Sequence, residues 1–233
     1  MLQPITSLTA EDLRGEKRID MSYAQFLEFC DEDVHAEWED GETIIFMPPG
    51  SRHQNVVTFL VTLLRTFTEF FRLGTVLTAP FEMKASPQSN AREPDILFVA
   101  QNNMARLTEA RLVGAADLIV EVVSPESVYR DHTLKRQEYQ VAGVREYWAI
   151  DAKAMLRRAV FWQLDRQGRY QAIQPDAYGI YHSAVLPGFW LDTAWLWQQE
   201  LPDPLLTFAQ IADFPESLIE TLREIAARGP RQA

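Results

Sequence analysis

From Met21 onward the chain alternates between two apolar periods, one of three to four residues and one of two, and each stretch where one holds predicts an element. Tyr23, Phe26, Leu27 and Phe29-Cys30 recur at helical spacing behind Ser22, which can cap a short helix. Between His35 and Met47 the Asp40-Gly41 pair separates two strand-like runs, the pattern of a tight hairpin that Pro48-Pro49-Gly50 ends. Ser51 then caps a long helix whose apolar stripe is Val56/Val57, Leu60, Leu63/Leu64, Phe67 and Phe70/Phe71, and Gly74 closes it. Thr75–Met83 reads as a strand, residues 86–93 as a polar loop, and Ile96–Val99, opened by Pro94-Asp95, as a second strand. Asp117–Ser124 is almost wholly apolar, as a central strand covered on both faces must be, and Glu121 is its exception. Residues 131–142 read as a helix with Leu134 and Tyr139 inward and Gly143 as terminator; Val144–Ile150 follows as a strand, which makes a parallel crossover. Arg158–Leu164 and Tyr170–Ile173 flank a turn at residues 165–168 as a second hairpin, and Leu205–Ala227 carries helical spacing interrupted at Phe214-Pro215.

No internal repeat or low-complexity segment divides this pattern, so one domain is expected over residues 21–200, with residues 1–20 as a flexible arm and 201–233 as a helical extension. The extension can pack on the core or on a second subunit. With 233 residues, 47% of them hydrophobic, the chain can bury a sizeable core. Its 22 Lys+Arg against 33 Asp+Glu give a net charge of −11, which removes the broad positive field by which most nucleic-acid binders collect their ligand. A locally basic cleft, or metal ions set against phosphate, remain ways to bind it. The lone Cys30 cannot form an internal disulfide, and the sequence carries neither a secretory leader pattern nor a membrane-length apolar run. A cytoplasmic location without a membrane partner is expected.

Two carboxylates stand out by position. Asp95 opens one apolar strand, and Glu121 interrupts another, where an unpaired charge would be costly. A hard divalent ion offsets such charge well, because Mg²⁺ takes carboxylate oxygens, a backbone carbonyl and several waters. The competing reading caps a loop with Asp95 and pairs Glu121 with an internal base. Lys135, on the helix after the Glu121 strand, could orient an attacking water and offset charge growing on a phosphate, or could be a surface lysine paired with Asp131. Glu37 could ligate metal or orient water, whereas its neighbours Glu39 and Glu42 read as solvated. His53, in the first turn of the long helix, could contact a phosphate, carry a proton or simply bond the preceding loop. Ser124 reads as a turn residue that could line the same cleft. His35, His132 and His182 lack zinc-ligand spacing, no phosphate-cradling glycine loop or G-x-S-x-G elbow is present, and the Trp148, Trp162, Trp190, Trp195 and Trp197 group reads as core or interface.

This constellation resembles the PD-(D/E)XK nuclease superfamily and, more closely, its Uma family of restriction-endonuclease-like proteins. The similarity rests on residues 36–42, Ser51-Arg52-His53-Gln54, Glu93-Pro94-Asp95, Asp117–Pro125, residues 135–139, residues 143–151 and Leu186-Pro187-Gly188, in an order spanning about residues 21–195. It implies an α/β restriction-endonuclease-like core, a mixed sheet flanked by helices with the metal site at one end. It also implies catalytic roles for Glu37, Asp95, Glu121 and Lys135. The lysine departs from the superfamily pattern, which places it two residues after the strand glutamate, where this chain has Val123. Glu93 departs too, standing where the family often has a basic residue, so that its charge could strengthen metal binding or repel phosphate.

The expected activity is Mg²⁺- or Mn²⁺-dependent hydrolysis of DNA, with the ion on Asp95, Glu121 and the backbone carbonyl of Val122, and substrate contacts at His53, Ser124 and Tyr139. A homodimer is expected. The alternative is a catalytically silent member of the same fold serving as an oligomeric binding or regulatory module; a third possibility is a metal hydrolase of smaller phosphoesters.

Overall fold

A computed structural model describes residues 17–30, 35–46, 50–124, 127–151 and 158–229. Most of the N-terminal arm, together with Pro48, Pro49 and Pro125, lies outside these residues. Lys17–Asp20, expected to belong to the arm, forms a strand, β1, paired antiparallel with the hairpin that follows. Helix α1 (Tyr23–Phe29) starts as expected at Ser22, which forms a reciprocal capping box with Gln25. Strands β2 (Ala36–Glu39) and β3 (Glu42–Ile45) are joined by Asp40 and Gly41, both at positive φ, the conformation a two-residue hairpin turn requires.

Helix α2 (Ser51–Phe70) differs at both ends from the pattern-based reading. Gly50 occupies the N-cap, so Ser51 is already helical, and the helix stops at Phe71, three residues before Gly74. Gly74 instead opens β4 (Gly74–Thr78), where a Cβ would lie 2.1 Å from the carbonyl oxygen of Val99; the glycine is needed for backbone approach, not for helix termination. The run read as one strand over 75–83 is two, β4 and β5 (Glu82–Lys84), which break at Pro80 and enter different sheets. The residue pattern does not show this, since both pieces have the composition of a strand. The polar loop contains a further short strand, β6 (Ala91–Arg92), followed by β7 (Ile96–Ala100), β8 (Arg111–Val113) and β9 (Leu118–Val123).

A wide π-helical turn over Arg130–Lys135 runs into α3 (Arg136–Ala142), which Gly143 ends in the left-handed conformation. Strands β10 (Glu146–Asp151), β11 (Ala159–Leu164), β12 (Tyr170–Ile173), β13 (Ile180–His182) and β14 (Trp190–Asp192) follow, then α4 (Pro204–Ile211) and α5 (Glu216–Arg228). The main sheet has the order β12-β11-β10-β9-β7-β4; β9 and β10 are parallel, as the crossover predicts, and the other pairs are antiparallel. The second sheet, β1-β3-β2-β6-β5-β8, stands beside it.

The period of two along β9 sorts the two cores. Leu118, Val120 and Val122 face α2 and join Leu60, Leu63, Phe67 and Trp148, while Ile119 and Val123 face α3 and join Tyr139, Val144 and Tyr147. The tryptophan group belongs to these cores, as expected. Glu121 shares parity with the second set and therefore points under α3.

Glu146 ties the β13–β14 hairpin to the sheet. Its buried carboxylate accepts from Trp148 Nε1 at 2.7 Å, Tyr181 Oη at 2.8 Å, Ser183 Oγ at 3.1 Å and the N–H groups of Ala184 and Val185 at 2.8 and 3.0 Å. Glu146→Ala leaves these donors buried without an acceptor and is expected to cost about 2–4 kcal/mol, read by urea denaturation. Glu146→Gln keeps an acceptor and should cost less.

Candidate active site

Antiparallel pairing of β7 with β9 sets Ile96 opposite Val120, which brings Asp95 beside Glu121 on the α3 side of the sheet. The two acids do meet. Asp95 Oδ2 accepts from the N–H of Val122 at 2.7 Å, and Glu121 Oε2 lies 3.5 Å from the N–H of Asp95. In a strand the N–H and C=O of one residue point the same way, and the Val122 backbone also hydrogen-bonds the His53 imidazole. Glu121 uses its other oxygen, Oε1, to accept from Lys135 Nζ at 2.9 Å and Tyr139 Oη at 2.8 Å.

Lys135 is no surface lysine. It ends the π-helical turn, is buried, and lies 2.7 Å from Glu37 Oε1 and 3.9 Å from Asp131 Oδ1 as well as against Glu121. Burial alone would pull its ammonium down, but Glu121, Glu37 and Asp131 outweigh that and hold it above the ordinary lysine range. Desolvation pushes Glu121 up from the usual carboxylate value, against the pull of Lys135 and with the help of Asp131, Asp95 and Glu37.

Glu37, on β2, spends both oxygens within the protein. Oε1 meets Lys135 and the N–H of Glu93 at 3.2 Å, and Oε2 meets Arg92 Nη1 at 3.0 Å. Although it is fully buried, Lys135 and Arg92 hold its carboxyl below the ordinary range. Glu37 thus anchors the lysine. Arg92 extends the chain of charges: it grips Glu138 of α3 through two bonds, Nε to Oε2 at 2.8 Å and Nη2 to Oε1 at 2.6 Å, and it also reaches Glu39 at 3.2 Å. Glu39 is therefore ion-paired and not merely solvated; Glu42 stays exposed, paired with Arg18 at 2.9 Å. Residue patterns do not point to Arg92 or Glu138. A lone arginine in a polar loop and a helix glutamate carry no mark of burial, and only the pairing of β6 with β2 beneath α3 assembles them.

The remaining candidates divide. His53 reaches the site from the first turn of α2, with Nε2 3.3 Å from Asp95 Oδ2 and with Nδ1 buried and lacking a hydrogen-bond partner among the described residues. Tyr139, expected to touch substrate, is 1% exposed and spends its hydroxyl on Glu121, a placement that supports the carboxylate from behind. Ser124 keeps its turn role, its N–H donating to Ser127 Oγ at 3.0 Å, and no described contact joins it to the carboxylates. Glu93 accepts from the N–H of Ala36 at 3.3 Å and is pushed up to about 8, by burial first and by Glu37 second. Its carboxyl is therefore harder to ionise than an ordinary glutamate, which weakens both effects expected of its charge.

The raised Glu93 gives a signed prediction. An unfolded carboxyl ionises near 4.5 and the folded one near 8, so the folded state holds more protons between those values. In chelator-containing buffer, stability should be fullest below the lower value and fall as pH rises through the upper one. Glu93→Gln should flatten that slope in urea titrations across the window; an unchanged slope would contradict the assignment.

The donor set suits a hard divalent cation. Among the described residues Glu121 Oε2 has no closer donor than the 3.5 Å contact to Asp95, the Asp95 carboxylate is adjacent, and both are oxygen ligands. Among the described residues no cluster of three or more His, Cys, Asp or Glu forms a metal cage; two carboxylates and a carbonyl leave room for the waters Mg²⁺ retains.

A mixed sheet with helices on both faces, carrying a strand carboxylate, a second carboxylate just before the neighbouring strand and a lysine against the first, defines a restriction-endonuclease-like α/β protein. The chain belongs to the Uma2 family, described as "Putative restriction endonuclease", whose model matches residues 23–194. It is also similar in fold to a solved structure titled a putative nuclease belonging to DUF820, from Anabaena variabilis ATCC 29413, at 17% identity and a TM-score of 0.60, covering 75% of this chain and 96% of that one. No curated protein matches. No described helix is long and apolar enough to cross a membrane.

Proposed function

We propose that the chain is a cytoplasmic, Mg²⁺- or Mn²⁺-dependent endonuclease that hydrolyses DNA phosphodiester bonds. The observation that carries this reading is that Asp95 and Glu121 lie side by side, with Lys135 Nζ 2.9 Å from Glu121 Oε1. Asp95, Glu121 and the Val122 carbonyl would hold the cation, which when bound supplies Lewis-acid polarisation of the phosphate and a water activated at neutral pH.

The chain's own groups do the rest. Lys135, held protonated by three carboxylates, donates hydrogen bonds and stabilises negative charge; it is not available as a general base. The wide turn at 130–135 carries the Lys135 ammonium to Glu121, which supports this reading although Val123 holds the usual lysine position. His53 fixes the Asp95 carboxylate through Nε2 and stands in the first turn of α2, from which a substrate phosphate would be approached. Tyr139 and Glu37 position the groups that react.

Supercoiled plasmid incubated with the full chain tests the proposal. Nicking or linearisation that needs Mg²⁺ or Mn²⁺ and stops with chelator is expected. No cleavage under either metal would leave the silent binding module as the better account.

A further inference from the structure

We propose that Arg158, oriented by His132 and Asp151, binds a DNA backbone phosphate to one side of the phosphate at the cation; this rests on the nuclease reading and names where that site takes the strand. In a chain of net charge −11, residues 130–136 hold two Arg, one Lys and one His against one Asp, so this turn is basic in a molecule that is not.

The sheet sets Arg158 at the same end of the molecule as the acids. Parallel pairing puts Asp151, at the end of β10, opposite Val123, two residues past Glu121, and the N–H of Asp151 donates to the carbonyl of Arg158 at 2.9 Å. Arg158 thus lies two strand spacings, about 10 Å, to the side of β9. By the period of two it shares the face of Val160 and Trp162, which pack on the α3 side where Glu121 meets Lys135. The wide turn links the two places. It carries the Lys135 ammonium to Glu121 on β9 and, three residues earlier, the His132 imidazole to Asp151 on β10.

The guanidinium is aimed and not consumed. Arginine can only donate, so His132 Nδ1 accepts from Arg158 Nη2 at 3.5 Å, and the other ring nitrogen, Nε2, donates to Asp151 Oδ1 at 3.4 Å. The imidazole is fixed edge-on against Trp162. Asp151 is 3% exposed, and its Oδ2, 3.9 Å from Arg158 Nε, has no hydrogen-bond partner among the described residues. A buried acid and a packed histidine therefore hold, through long contacts, an arginine whose side chain is 52% exposed and whose five donors exceed what these two partners take. A planar guanidinium matches phosphate oxygens two at a time. At about 3.4 Å per phosphate along one strand, the offset from β9 corresponds to roughly three nucleotide steps from the phosphate at the cation.

Fluorescence anisotropy of a labelled DNA duplex with the full chain, in Ca²⁺ and over a range of salt, tests the proposal. Arg158→Ala should weaken binding by about tenfold and lower the slope of log affinity against log salt by about 0.9, the share of one phosphate, with melting unchanged because the side chain is exposed. Arg158→Lys should restore the slope. Arg166→Ala removes an exposed arginine from the turn at the opposite end of β11 and should bind as the wild type does. Wild-type affinity and slope in Arg158→Ala would overturn the proposal, and so would an equal loss in Arg166→Ala, the mark of net charge alone, or a wild type that binds no duplex. Plasmid cleavage measured alongside separates the two readings. A wild type that cuts DNA while Arg158→Ala binds it undiminished removes this contact and leaves the nuclease; binding through Arg158 without cleavage does the reverse.

Discussion

Asp95→Ala and Glu121→Ala are each expected to lower metal-dependent DNA cleavage by on the order of 10³-fold or more, because each removes a ligand from a site that has few protein ligands. The shape-preserving variants sharpen the test. Asp95→Asn can still accept from the N–H of Val122, and Glu121→Gln can still accept from Lys135 and Tyr139, so both should fold while losing the charge that holds the cation. Cleavage rates under saturating Mn²⁺, with melting curves measured alongside, separate chemistry from stability. Equal rates in wild type and all four variants would remove these acids from the reaction.

Arg92→Met is expected to destabilise the fold by about 3–5 kcal/mol, since removing one member of a buried ion cluster leaves the others uncompensated. Arg92 is 1% exposed and serves Glu37, Glu39 and Glu138 at once. Its guanidinium links the second sheet to α3, and through Glu37 it also holds Lys135. For a chain of this size the loss corresponds to a fall of roughly 10 °C or more in melting temperature. Arg92→Lys keeps the charge but cannot grip Glu138 through two parallel bonds, so it should fall between wild type and Arg92→Met. A melting temperature unchanged in Arg92→Met would show that the cluster adds nothing to stability.

The main sheet was legible because its central strands are written in a period no other element shares. Leu118–Val123 is apolar on both faces, and a single glutamate in such a run marks a site by its cost alone. The Asp40-Gly41 turn and the parallel crossover were equally plain. What the pattern hid was long-range. The division of residues 75–83 between two sheets turns on a bend at Pro80 that strand alternation does not register. The spacing of Lys135 from Asp131 fits an exposed pair as well as a site lysine, so sequence alone leaves both open; a π-helical turn buries both residues with Glu37 and Glu121. Arg92 and Glu138 lie 46 residues apart and meet only after β6 pairs with β2, so no local pattern could couple them.

One measurement bears most directly on the site: a crystal structure of the full chain soaked in Mn²⁺, with anomalous differences collected at the manganese edge. A single strong peak within ligand distance of both Asp95 and Glu121, lost in Glu121→Gln, is the predicted result. A fully loaded crystal with no peak between those two side chains would contradict the account.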